Sequence, residues 1–97
     1  MKVKIYISGQ ITGIEERAID LFKEAELHLL SEGYDVVNPM ELNHDHDQEW
    51  LSYMQEDIEV MMTCRTIYML KNWTNTLSGA NIERDLAIAL GYNIIYE

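Results

Sequence analysis

The sequence predicts an α/β domain built on a parallel sheet, and three observations carry that prediction. Strand-like and helix-like segments alternate as βαβαβαβ along the chain. The strand-like segments are short and almost continuously apolar, as strands covered on both faces are. The connections between segments are short, which favours right-handed crossovers with helices on both sides of the sheet.

Lys2–Ser8 alternates and is rich in β-branched and aromatic residues, a first strand. Gly9–Gly13 follows as a loop with two glycines. Glu15–Glu32 reads as a helix, with Ala18, Leu21, Phe22, Ala25 and Leu29 on one face and Gly33 as its stop. Tyr34–Asn38 is a second strand, broken by Pro39. Asn43–Asp47 is a polar loop in which Asp45 or Asp47 caps the next helix, Gln48–Thr63. Leu51, Met54, Ile58, Met61 and Met62 are expected to face the core from that helix. Arg65–Leu70 is a third strand and Lys71–Leu77 a loop. A third helix starts behind Ser78, a good N-cap, and stops at Gly91. Tyr92–Glu97 closes the pattern as a fourth strand.

The 97 residues, 1–97, make one domain. A chain of that size buries roughly two-thirds of its unfolded surface, so a homodimer or larger homo-oligomer is expected, with the second or third helix at the interface. A hydrophobic content of 47% beside 25% charged residues describes an ordinary globular protein. No apolar run reaches membrane-spanning length, and the first residues lead into a strand rather than a signal peptide. The single cysteine, Cys64, excludes an intrachain disulfide; it reads as a small buried hydrophobe in a reducing, cytoplasmic compartment. A formal net charge of −10 argues against a nucleic-acid polymer as partner. A small ligand is compatible with that charge, since a helix N-terminus attracts anions locally.

Several motif readings fail. The Gly9–Gly13 loop lacks the glycine spacing of a dinucleotide site, no Gly-Lys-Ser/Thr completes a phosphate loop, and no cofactor is implied. A receiver-type phosphoacceptor needs an aspartate after the third strand, where Leu70 and Lys71 stand. His44-Asp45-His46-Asp47 invites a metal, but adjacent ligands in one short loop make poor geometry, and a polar helix-capping loop is preferred.

The chemistry-bearing candidates lie on the helices. At about 100° per residue, Gly79, Leu86, Ala87 and Leu90 share a side of the third helix, and Glu83 sits among them. A carboxylate on an apolar stripe needs a partner, a raised pKa or a cleft, unless it reaches water at the stripe's margin. Asp57 stands at the edge of the second helix's apolar face, seven residues after Trp50 and three after Met54. It is read either as a boundary residue or as a second acid; two carboxylates in different environments suit glycosidic-bond chemistry. In a parallel sheet the ligand lies at the carboxyl ends of the strands, so Ser8–Gly13, Asn38–Asp47 and Lys71–Glu83 are expected to line the site.

Five segments carry a family resemblance. They are Lys4-Ile5-Tyr6-Ile7-Ser8-Gly9, Asn38-Pro39, Tyr53-Met54-x-x-Asp57-Ile58, Ile67-Tyr68-Met69-Leu70 with Trp73, and Ser78-Gly79-Ala80-x-x-Glu83-x-x-x-Ala87. In order and spacing they resemble a family of short, functionally uncharacterised chains related to the nucleoside 2-deoxyribosyltransferases and the deoxynucleoside 5′-monophosphate N-glycosidases. The resemblance spans essentially the whole chain and implies a flavodoxin-like, Rossmann-like three-layer sandwich with strand order 2-1-3-4. It implies that Glu83 attacks C1′ of the sugar to form a covalent glycosyl-enzyme. It further implies that Asp57 assists proton transfer or orients the sugar, and that Tyr6 supports the nucleophile. Ser8, Gly9, Asn38, Trp73, Ser78 and Gly79 are the ligand-binding positions it suggests. Departures from the relatives are Gln10 in place of a proline, Arg65 in place of an aspartate, and Leu77 where active enzymes often carry a ligand-contacting aspartate or serine. Ser78 and Thr76 flank Leu77 as replacements. Two functions stay open: cleavage or exchange of an N-glycosidic bond in a nucleoside or nucleotide, and binding of such a ligand without turnover. A third class, a structural or interaction protein that merely keeps the fold, is disfavoured by Glu83, Asp57 and Tyr6 together.

Overall fold

The computed structural model describes residues 2–42, 49–74 and 79–97. Its elements follow the predicted order: β1 (Lys4–Ser8), α1 (Glu15–Ser31), β2 (Asp35–Val37), α2 (Trp50–Met61), β3 (Thr66–Met69), α3 (Gly79–Ala89) and β4 (Asn93–Tyr96). Single 3₁₀ turns occupy Pro39–Glu41 and Lys71–Thr74. All four strands are parallel in the order β2-β1-β3-β4. In register, Tyr6 lies beside Val37 on one side and Ile67 on the other, and Ser8 beside Met69. Among the described residues no helix is long and apolar enough to cross a membrane.

Strand alternation sorts the core into two layers. Ile5 and Ile7 point to one face with Tyr68 and Leu70, against Ala18, Phe22, Ala25 and Leu29 of α1. Tyr6, Ile67 and Met69 point to the other, against Met61, Ala80, Ala87 and the buried Cys64. The sheet is therefore the middle of three layers, and Tyr6 and Ser8 share the face covered by α2 and α3.

Helix ends are set by backbone chemistry. Gly33 and Gly91 adopt φ +92° and +74°, the left-handed conformation that glycine reaches without a Cβ penalty. Behind each, two amides close a Schellman motif. Tyr34 and Gly33 donate to Leu29 and Leu30, and Tyr92 and Gly91 donate to Ala87 and Ile88. The Tyr92 hydroxyl then donates to the Met61 carbonyl at 3.0 Å, tying the exit of α3 to the end of α2. At the other end of the sheet, Asn38 caps the 3₁₀ turn by accepting from the Met40 amide at 3.0 Å.

Three residues expected in the core are outside it. Leu51 and Met62 are 71% and 47% exposed. The buried positions of α2 are Met54, Asp57 and Met61, a stripe turned by several tens of degrees toward Asp57. Placing Asp57 inside leaves Leu51 and Met62 about a quarter-turn or more away from it. Leu90, 45% exposed, lies on the expected side of α3 but past its last turn, where the chain reverses at Gly91. The caps expected at Asp45, Asp47 and Ser78 lie outside the described residues.

The close approach of the β1 loop to β3 yields a stability test. A Cβ on Gly9 would stand 2.6 Å from Leu70 Cδ1 and 2.8 Å from Leu70 Cβ, and the latter cannot swing away because it is fixed to the backbone. Gly9→Ala is expected to lower the unfolding free energy by about 1–3 kcal/mol, read as a lower urea midpoint at unchanged m-value. An unchanged midpoint would show that the loop yields freely.

Candidate active site

A cavity of about 470 Å³ opens at the carboxyl edge of the sheet. The end of β1 and its loop form one wall, with Tyr6, Ser8, Gly9 and Thr12. The α2 helix lends Trp50, Tyr53, Met54 and Asp57, spaced so that Trp50, Tyr53 and Asp57 share one side of the helix. The start of α3 contributes Gly79, Ala80 and Glu83, and Pro39 and Met40 come from the turn after β2. Gly79 lets α3 begin against α2, since a Cβ there would overlap the Met54 sulfur.

Glu83 is at the centre of this arrangement. It is 4% exposed, between Ala80 and Ala87 on the buried stripe of α3. The Ser8 hydroxyl donates to its Oε1 at 2.5 Å and the Tyr6 hydroxyl to its Oε2 at 2.9 Å. The two donors are two residues apart on β1 and therefore project from the same face, which fixes both carboxylate oxygens against the strand. Desolvation pushes the Glu83 pKa up to about 7. The donated hydrogen bonds of Ser8 and Tyr6 pull it down, and the nearby Asp57 charge pushes it further up. Burial raises the Tyr6 phenol well above its ordinary value, with the Glu83 and Asp57 charges adding to that, so Tyr6 stays a donor throughout the physiological range. Asp57, 6% exposed, lines the same cavity from α2.

The arrangement has definite chemical capability. A carboxyl group half-ionised near neutral pH, held at both oxygens and facing a cavity, can serve as nucleophile or base when ionised and as acid when protonated. A second carboxyl group from another helix supplies a partner for proton traffic. Among the described residues no group of three or more His, Cys, Asp or Glu side chains is placed to hold a metal ion. The His44–Asp47 loop lies outside them.

Of the nine positions singled out in the sequence, six line the cavity: Glu83, Asp57, Tyr6, Ser8, Gly9 and Gly79. Ser78 lies outside the described residues. Asn38 and Trp73 are absent from the lining. Asn38 is 7% exposed and occupied structurally, its amide donating to Glu26 at 3.1 Å while its oxygen caps the 3₁₀ turn. Trp73 is carried away by the Lys71–Thr74 turn and packs instead under the Arg84 guanidinium, 4.6 Å from its ring centroid, and beside Tyr96. From that same turn, Asn72 accepts from the Gln10 amide at 2.9 Å, bracing the β1 loop from outside the cavity. Sequence reasoning missed Tyr53, Trp50 and Glu15 as lining residues. For the first two a signal existed, because they precede Asp57 by four and seven residues. For Glu15, an acid at a helix start, nothing in the sequence separates a cavity rim from ordinary pairing with the helix dipole.

The family model of a domain of unknown function, DUF4406, matches residues 3–96. The chain belongs to that family. The match covers every strand and helix described above, so the cavity and its carboxyl groups lie wholly within the DUF4406 domain. A search of curated proteins finds no match to the chain.

The raised pKa of Glu83 sets the pH dependence of stability. In the fold the group binds its proton up to about pH 7, whereas unfolded it releases it near the ordinary 4.5. Its contribution is therefore complete below the unfolded value and is lost as pH rises through about 7. Wild-type protein is expected to lose on the order of 3 kcal/mol from this group over that range, at 1.36 kcal/mol per pKa unit. Glu83→Gln removes the titrating group, so denaturant melts at successive pH values should show a flatter profile for the variant. Parallel profiles would contradict the desolvated carboxyl.

Proposed function

We propose that this DUF4406 protein cleaves or exchanges the N-glycosidic bond of a deoxynucleoside or its monophosphate through a covalent glycosyl-Glu83 ester. The observation that carries the proposal is the buried Glu83 carboxyl, gripped by Ser8 and Tyr6 and set in the wall of a cavity shared with Asp57. The resemblance of the Tyr6-x-Ser8-Gly9, Asp57 and Ser78-Gly79-Ala80-x-x-Glu83 segments to a family related to the nucleoside 2-deoxyribosyltransferases and the deoxynucleoside 5′-monophosphate N-glycosidases supports the same reading.

In the first step an ionised Glu83 oxygen forms a bond to C1′ as the C1′–N bond breaks. The electron pair leaves with the base, which takes a proton from Asp57. The developing positive charge on the sugar is offset by the Glu83 carboxylate. In the second step water, or another base in the exchange reaction, attacks C1′, gives up its proton to Asp57 and releases the carboxylate. Tyr6 and Ser8 hold the carboxylate in one orientation and receive it back as leaving group, so their part is positioning. A cavity of about 470 Å³ lies within the ordinary range for small-molecule sites.

Incubation with a panel of nucleosides and nucleotides, followed by chromatography, tests the reaction directly. Free base should appear, and kcat/KM should rise with pH through about 7 as Glu83 ionises. Glu83→Gln should keep the fold and lose turnover, and Asp57→Asn should lower it by about two to four orders of magnitude. A 2-fluoro-arabinosyl nucleoside should leave its sugar on wild-type Glu83, detected by mass. Tight binding with no base released and no adduct would establish the second function left open by Leu77, a nucleoside-binding protein without turnover.

We also propose a homodimer formed through α2. Trp50 and Leu51, 48% and 71% exposed, stand together at its start, beside the cavity mouth. Light scattering should report twice the chain mass, and Leu51→Lys should shift it toward the monomer; a monomeric wild type would refute the assignment.

A further inference from the structure

We infer that the cavity selects its ligand by charge, admitting neutral and cationic nucleosides and rejecting those that carry a 5′-phosphate. The inference rests on the N-glycosidic reading above and specifies its substrate class.

Three acidic side chains line the cavity, Glu83 and Asp57 buried within it and Glu15 exposed at its rim. Glu15 is held in place because its carboxylate accepts from the Gly13 amide at 2.9 and 3.2 Å. The remaining lining is apolar, aromatic or hydroxylic. All seven lysines and arginines of the chain are among the described residues, and none lines this cavity. Arg84, adjacent to Glu83 in sequence, is turned onto the Trp73 ring and donates to the Tyr96 hydroxyl at 3.1 Å. Arg17 and Lys71 line a separate hollow beside Leu70 and Glu97. Residues 43–48 and 75–78 contain neither lysine nor arginine, and the two histidines of the first stretch are matched by two aspartates.

The opposing term is the start of α3, whose first amides carry the equivalent of about half a positive charge. That is small against as many as three carboxylates. A phosphate dianion entering here would meet net repulsion in a partly desolvated space, where Coulomb interactions exceed those in bulk water. The formal net charge of −10 adds a long-range contribution of the same sign. A neutral nucleoside escapes that repulsion. A permanently cationic N-riboside gains attraction from the same carboxylates, and the aromatic rings of Trp50 and Tyr53 suit a flat cationic base.

Calorimetry on wild-type protein with 2′-deoxyadenosine, its 5′-monophosphate and nicotinamide riboside tests the inference, with base release followed in parallel. At low salt the monophosphate should bind weaker than the nucleoside by about tenfold or more, and the gap should shrink as salt is raised. Nicotinamide riboside should bind at least as tightly as deoxyadenosine. Glu15→Gln keeps the acceptor for the Gly13 amide while removing the rim charge. It should narrow the gap between nucleoside and monophosphate by roughly threefold, a selectivity change that a purely structural role for Glu15 does not produce. A monophosphate that binds as tightly as the nucleoside overturns charge selection, while base release from either leaves the N-glycosidic reading standing. Absence of both binding and base release with all three ligands overturns both.

Discussion

A single buried carboxyl group organises the functional half of the molecule. Glu83 lies on the face of α3 that packs on the sheet, where desolvation opposes its charge, and β1 answers with the hydroxyls of Ser8 and Tyr6. The answer depends on backbone periodicity. Because strand side chains alternate, the same four residues that send Ile5 and Ile7 into the α1 core send Tyr6 and Ser8 toward α3. Small residues at Ala80 and Ala87 let α3 approach closely enough for the hydroxyls to reach. Displacing any of these would leave a buried acid short of its donors, an expensive arrangement.

The same constraint explains the behaviour of α2. Met54, Asp57 and Met61 on α2 repeat the spacing of Ala80, Glu83 and Ala87 on α3, with the acid in the middle of each stripe. Two helices on one face of the sheet thus each turn a carboxyl group inward toward the same cavity. Stability alone does not favour burying two carboxyl groups side by side, and the exposure of Leu51 and Met62 shows apolar surface given up to do it. A fold maintained only for packing has no use for that trade, whereas the proposed chemistry at a glycosidic carbon has one.

All seven main elements were legible in the sequence, because each strand is a compact apolar run and each helix carries a period and a stop signal, whereas the strand order 2-1-3-4 was implied only by the family resemblance. Gly33 and Gly91 marked helix ends that the structure closes with paired backbone hydrogen bonds. Glu83 was legible as an anomaly, an acid inside an apolar stripe. The partnership of Ser8 with Glu83 was not, because it spans 75 residues and nothing local announces it. Trp73 was misleading for a related reason: its placement depends on the 3₁₀ turn after β3, which directs the ring to Arg84 and Tyr96. The tilt of α2 toward Asp57 was also hidden. An apolar-face argument pulls Leu51 and Met62 inward, and only the fold reveals that a carboxyl group takes their place.

The site depends on the environment of Glu83, and a carboxyl titration reads that environment without assuming any substrate. Nuclear magnetic resonance of protein labelled at the glutamate carboxyl carbon, with the signal assigned through the Glu83→Gln variant, follows this one group through its ionisation. A midpoint near 7, moving upward when Tyr6 is replaced by Phe and a donor is lost, is the predicted result. A midpoint near 4.5, unaffected by that replacement, would mean a solvated carboxylate and would contradict the site at its centre.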